Sequence, residues 1–365
     1  MAKKNMGKVK RYRRSFYSGR QRAARIAGGI GALAVLFVVG WLVGPAVIDF
    51  GTSTWYAITR DRPKQEQQEP TSSEASVSQA TSSEAVATPQ PTQEPQTQED
   101  LTQGTWAFVD TTTLTSPEAI DTLVQNLASQ GVRYAVVTLK DDKGNIYYNS
   151  ALEAAAAGIS SGAFDAQALA KALQSENIVP VAAICAFKDP IAAGANRSMA
   201  VMYQNSEYLW LDAALDAGGK PWLNPYSQEA QAFITGLMQE ARQMGYEQIW
   251  LSGVQFPTKS GRDKASYGDT AGVSEAERLK QLIEAWQAEG TCWIEYPLSV
   301  ASGQDVSLTG GTIDALGIEN LAIRVSGTLT EETQQQLEQA KTTAANAAYI
   351  GVYSNDSFTV EEVKG

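Results

Sequence analysis

The sequence predicts an α/β protein built on a (β/α)8-type TIM barrel, on three observations. Apolar, strand-like runs alternate with amphipathic helical stretches throughout residues 104–365, a βα repetition that fits a closed parallel barrel better than an open sheet. The run Val179–Phe187 is apolar along its whole length, as a strand covered on both faces must be. No glycine fingerprint for a dinucleotide follows any of the strands, which weighs against the open doubly wound sheet that is the structural alternative.

Taken in order, Thr105–Asp110 reads as the first strand. Ser116 then caps a helix with Pro117 at its first position, apolar residues at Ile120, Leu123, Val124 and Leu127, and Gly131 to end it. Tyr134–Lys140 is a second strand, Asp165–Ser175 a second helix and Val179–Phe187 a third strand. Ser227–Met244 carries a helical apolar stripe closed by Gly245, and Gln248–Phe256 is the fourth strand. The pattern Ser274-x-x-Glu277 predicts a capping box opening a helix that ends at Gly290. Strands at Thr291–Tyr296, Asn320–Val325 and Ala347–Tyr353 follow, with a helix near Glu331–Ala345 between the last two. That makes seven strands. The stretch Ser307–Leu316 is the candidate for a weakened eighth, the alternative being an incomplete barrel.

Ahead of the barrel the chain changes character three times. Residues 1–25 hold ten Lys/Arg and no acid, so the rest of the chain carries 19 − 40 = −21. Residues 26–48 contain no charged side chain; as a helix they span roughly 34 Å, about the thickness of a bilayer's hydrocarbon core. The basic flank favours a cytoplasmic amino terminus and an extracytoplasmic body, with the cleaved signal peptide as the rival reading. Residues 49–103 form a membrane-proximal segment and a linker rich in Gln, Glu, Ser, Thr and Pro, too poor in apolar residues to offset chain entropy. The expected organisation is a basic tip (1–25), a transmembrane helix (26–48), a stalk (49–103) and a barrel (104–365).

Composition excludes several chemistries. The acidic body is a poor partner for nucleic acid. The chain has no histidine, which removes Ser–His–Asp and Cys–His catalysis and the commonest zinc ligands. Cys185 and Cys292 both sit in apolar runs and read as buried free thiols rather than a disulfide or metal site. No metal or organic cofactor is implied.

A barrel of this kind works above the carboxyl ends of its strands, and the motifs there can be read one by one. Leu251-Ser-Gly-Val-Gln-Phe-Pro257, Val136-Val-Thr-Leu-Lys-Asp-Asp-Lys-Gly144, Ala182-Ala-Ile-Cys-Ala-Phe-Lys-Asp-Pro190 and Trp222-Leu-Asn-Pro-Tyr226 resemble the motifs of the putative glycoside hydrolase domain family, bacterial envelope barrels distantly related to α-amylases. The likeness runs from about Gly104 to Pro257 and weakens beyond. It implies a sugar-cleaving barrel, but the family's inward acids are replaced by Thr138 and Ser252, and its arginines by Ala183 and Gln255.

Glycoside hydrolysis ordinarily needs two carboxyl groups, so these replacements predict a barrel released from catalysis, a pseudoenzyme that binds cell-envelope glycan. Lys140, Asp141, Lys188 and Asp189 are expected to hold the rim, with ligand contact as the alternative. Ser252, Gln255 and Asn224 join them as candidate ligand contacts. The long loop from Lys188 to Tyr226 carries Tyr203, Tyr208, Trp210, Trp222 and Tyr226, rings suited to stacking on sugars; Trp210 is the expected platform and Trp222 the more structural of the two. Two further readings stay open. Glu295 and Asp110, at the ends of their strands, could serve as relocated acids of a working glycosidase, or the barrel top could recognise an envelope protein. The predicted partners are glycan and, through the amino-terminal helix, membrane lipid.

Overall fold

The computed structural model describes residues 101–257, 261–327, 330–354 and 357–363. The basic tip, the apolar segment 26–48 and the stalk up to residue 100 lie outside the described residues. Among the described residues no helix is long and apolar enough to cross a membrane.

Eight strands form one curled, mostly parallel sheet in the order β1 (Thr105–Val109), β2 (Val132–Lys140), β3 (Val179–Cys185), β5 (Gln248–Ser252), β7 (Cys292–Pro297), β8 (Asn320–Arg324), β9 (Tyr349–Ser354) and β10 (Ser357–Glu362). Every pairing from β1 to β9 is parallel, while β10 turns back antiparallel on β9. The seven parallel strands are those the sequence predicts. The eighth is not at Ser307–Leu316, where the chain makes only a 3-10 turn, Ile313–Leu316. A hairpin too short for a helical crossover supplies it instead, and such a hairpin can only pair antiparallel. Two short strands, β4 (Met202–Tyr203) and β6 (Ala265–Ser266), form a separate antiparallel ribbon from the loops after β3 and β5.

The principal helices begin where their caps predict. The helix α1 (Pro117–Ser129) is capped by Ser116, α2 (Ala166–Ser175) by Asp165, and the short α3 (Pro190–Ala195) by Asp189. Ser227 caps α4 (Gln228–Gln243) and Ser274 caps α5 (Glu275–Gln287). The box at Ser274 is half made: Ser274 accepts from the Glu277 N–H at 3.2 Å, but the Glu277 carboxylate turns to Gln281 instead. A single turn, α6 (Leu298–Ala301), and α7 (Glu331–Thr343) complete the set. The apolar faces of the helices pack on the outward side chains of the strands, Ala135, Val137 and Leu139 among them, in the main core.

The inward side chains build a second core inside the barrel, and it is aromatic: Trp106, Tyr134, Trp250, Trp293, Tyr349 and Phe358. Trp106 stacks on Tyr134 at 4.2 Å between ring centres, and Phe358 of β10 meets Trp106 and Trp250 edge-on, at 4.9 Å each. Phe358 thus brings β10 against β1 and nearly closes the barrel through side chains. Gly351 of β9 makes the room, since a Cβ there would stand 1.9 Å from the Phe358 ring. With the lower barrel filled, an open cleft lies towards the carboxyl ends of the strands.

Candidate functional site

A cleft of about 660 Å³ lies there, within the range of small-molecule sites. Strand alternation decides what faces it. On β2, Val136 and Thr138 point inward, and a bulge between Thr138 and Lys140 brings Lys140 to the cleft as well. Ala183 from β3, Trp250 and Ser252 from β5, Glu295 from β7 and Arg324 from β8 complete the strand-borne lining. Asp141, Asp142, Lys188, Asp212, Trp222 and Gln255 come from the loops above them.

Glu295 is 9% exposed, and both its oxygens are engaged. Arg324 donates from Nε to Oε1 at 2.7 Å and from a terminal nitrogen to Oε2 at 2.8 Å, while the Trp250 indole N–H donates to Oε2 at 2.8 Å. The fork-on-carboxylate geometry is the strong form of such a pair; the hydrogen bond to Glu295 raises the Arg324 pKa, outweighing burial. Arg324 also lies over the Tyr353 ring at 5.1 Å. A proton-donating role for Glu295 would require Arg324 to swing away.

The lysines and aspartates of the rim are equally committed. Lys140 is buried and donates to the Cys185 carbonyl at 2.5 Å, with Asp189 at 3.1 Å. Asp189 is buried below the cleft and accepts from the Ala192 N–H at 2.8 Å as the cap of α3. Gly144 (φ +86°) folds over that carboxylate; a Cβ there would lie 2.3 Å from Asp189 Oδ1, so only glycine fits. Lys188 pairs with Asp142 at 2.7 Å, both half exposed. Asp212 accepts from the Lys220 N–H at 2.7 Å and from the Trp222 indole at 3.0 Å. Burial pushes the Cys185 thiol upward and lifts that of Cys292 to about 12; both thiols are free and buried.

Several predicted positions land elsewhere. Asp110 is exposed, receives hydrogen bonds from Thr112 N–H and Oγ1 at 3.0 and 2.6 Å, and does not line the cleft, so Glu295 and Asp110 do not form a pair across it. Trp210 is 0% exposed, and its indole donates to the Gly261 carbonyl at 2.9 Å; packed with Trp222, Val201 and Ala265, it pins the long loop instead of offering a face. Trp222 is buried as well, yet it is the tryptophan of that loop that reaches the cleft wall. Of the loop's rings Tyr208 is the free one, 74% exposed. Asn224 and Tyr226 line a neighbouring pocket instead. Sequence reasoning missed Arg324, Asp212 and Asp142. Arg324 had a legible signal, a lone cation ending the apolar run Leu321–Ile323.

A nearly closed α/β barrel with a polar cleft at its strand ends is an architecture that serves many functions, so the family must come from the sequence. A family model described as "Putative glycosyl hydrolase domain" matches residues 107–291, and the chain belongs to that family. No curated protein matches the sequence. Among solved structures, a hypothetical protein from Ruminiclostridium thermocellum is 21% identical, covering 52% of this chain and 96% of its own, at a TM-score of 0.44. An exo-β-N-acetylglucosaminidase from Vibrio harveyi is 11% identical, with 68% of this chain and 40% of its own covered, at 0.45. A β-N-acetylhexosaminidase from Bacteroides fragilis is 12% identical, covering 68% and 49%, at 0.44. This chain thus spans half or less of the length of those two glycosidases.

Proposed function

We propose that the chain is a glycan-binding member of its family, tethered to the cell membrane by residues 26–48, whose cleft holds a cell-envelope saccharide without cleaving it. One observation carries the reading. The strand ends of β2, β3 and β5 present Thr138, Ala183 and Ser252 to the cleft, while Glu295, the carboxylate that a strand contributes, has both oxygens occupied by Arg324 and Trp250. The cleft is therefore rich in groups that hydrogen-bond sugar hydroxyls (Thr138, Ser252, Gln255, Lys188) and poor in a carboxyl free to exchange a proton. Trp222 and Phe108 supply apolar wall.

A second reading is favoured by the acids that share the cleft: Glu295 could act with Asp212 or Asp142 as a catalytic pair once a bound sugar displaces their present partners. The full chain, incubated with peptidoglycan and with wall polysaccharide, separates the two. Retention on one of these polymers with no release of reducing ends, reduced about tenfold by Gln255→Ala, is the expected result. Reducing ends released by the native chain and abolished by Glu295→Gln or Asp212→Asn would establish the second reading and remove the first. Neither retention on, nor reducing ends released from, either polymer would remove both.

A further inference from the structure

Beside the cleft, a pocket of about 450 Å³ is walled by Tyr203 of β4, Ser266 of β6, Tyr226, Tyr267, Asn224 and Arg197. Its charge is unlike the rest of the molecule. Among the described residues four carboxylates line the main cleft and none lines this pocket, although Glu229 beside it accepts from the Ser227 hydroxyl of its wall at 3.1 Å, while the chain beyond the basic tip is strongly acidic. Among the described residues Arg197 is the pocket's single ionised side chain. It is exposed and makes no ion pair or side-chain hydrogen bond among the described residues, whereas Arg262 and Arg324 are paired. The walls are fixed before any ligand arrives. Tyr226 donates its hydroxyl to the Val273 carbonyl at 2.8 Å, and its ring lies 5.9 Å from Tyr267. Asn224 donates to the Tyr267 carbonyl at 3.1 Å, and β4 pairs Tyr203 with Ala265 of β6. Preformed walls spare a ligand the cost of ordering them.

We infer that this pocket is a second saccharide subsite, separate from the main cleft and selective for a sugar that carries a carboxylate. The tyrosine wall suits the apolar face of a pyranose ring, and the free guanidinium suits the carboxylate, which it can grip with two donors. The choice of a sugar rests on the glycan reading of the main cleft; the choice of an acid rests on Arg197 and the missing carboxylates.

The test is ligand-observed NMR on the full chain in detergent micelles. The probes are glucuronate, galacturonate and N-acetylmuramate, with glucose and sodium sulfate as controls. At least one acidic sugar binds at least fivefold more tightly than glucose, and that preference disappears in Arg197→Gln but survives in part in Arg197→Lys. Tyr203→Ala weakens the same binding, and Lys171→Ala, an exposed residue of α2 that lines neither site, leaves it unchanged. Equal binding of glucose, no binding of any acidic sugar, acid binding retained in Arg197→Gln, or sulfate binding as well as the sugars would each overturn the inference. Loss of polymer retention in Gln255→Ala, with the acid preference intact, marks the two sites as independent. Polymer retention without any acid preference leaves the main cleft's reading standing and this one refuted.

Discussion

The carboxylate of Asp141 accepts hydrogen bonds from the Lys143 and Asn145 N–H groups at 2.9 and 2.8 Å, from the Asn145 amide at 2.8 Å and from the Tyr147 hydroxyl at 2.9 Å. Burial alone would raise its pKa, but the donors from Asn145, Tyr147 and Lys143 together bring it below the usual aspartate value. A depressed folded pKa contributes stability that is complete above the unfolded pKa, near 3.9, and drains as pH falls through the folded one. Asp141→Asn is therefore expected to cost about 1–2 kcal/mol at neutral pH. The gap between the two proteins in urea denaturation should then shrink as pH falls below about 4, where the unfolded carboxylate takes up a proton, and close through the lower folded pKa. A gap unchanged from pH 7 to pH 3 would assign the loop's stability to something else. At this scale the sequence was readable where residue type and spacing set a local role, as with Ser116 and Ser274, which cap their helices. It was misread where exposure decides the role: a tryptophan such as Trp210 looks the same in sequence whether its face meets solvent or a wall.

Capping residues and periodicity identified the five longer helices and the seven parallel strands, because both are local signals; the short α3 and α6 were not read from the sequence. The eighth strand escaped because parallel βα repetition predicts a helix before it. The alternation in Ser357-Phe-Thr-Val marks a strand only once a hairpin is considered. This hairpin is also the element on which the barrel's closure depends. Phe358 contacts Trp106, Trp250 and Trp293 at ring separations of 4.9, 4.9 and 5.4 Å. Phe358→Ala is expected to cost about 3–5 kcal/mol, the range for emptying a large core ring. Gly351→Ala should cost about 1–3 kcal/mol by overpacking against the same ring. Because the two side chains occupy one space, the double variant should be more stable than the sum of the single costs implies. Chemical denaturation of all four proteins measures that coupling, and strict additivity would show that Gly351 serves some other purpose than accommodating Phe358.

Charge is the property that belongs to the whole molecule, and it sets the two proposed sites in tension. The chain beyond residue 25 carries −21, so an anionic polymer approaching the body is repelled at long range, even though Arg197 attracts a carboxylate at contact. Salt does not weaken the two effects equally. With a Debye length of about 30 Å at 0.01 M and about 8 Å at 0.15 M, added salt removes the distant repulsion first and a close guanidinium–carboxylate contact last. Association of the full chain with a uronate polymer should therefore accelerate between about 0.01 and 0.15 M NaCl, the reverse of a basic protein's behaviour. Its dissociation should quicken only slightly. A neutral polysaccharide held in the main cleft should show almost no salt dependence in either rate. Association and dissociation rates for both polymers, measured by surface plasmon resonance at increasing NaCl, test this directly. An association rate that falls with salt would mean that long-range attraction dominates the encounter, which the charge of the body does not allow unless the basic tip (1–25) makes the first contact.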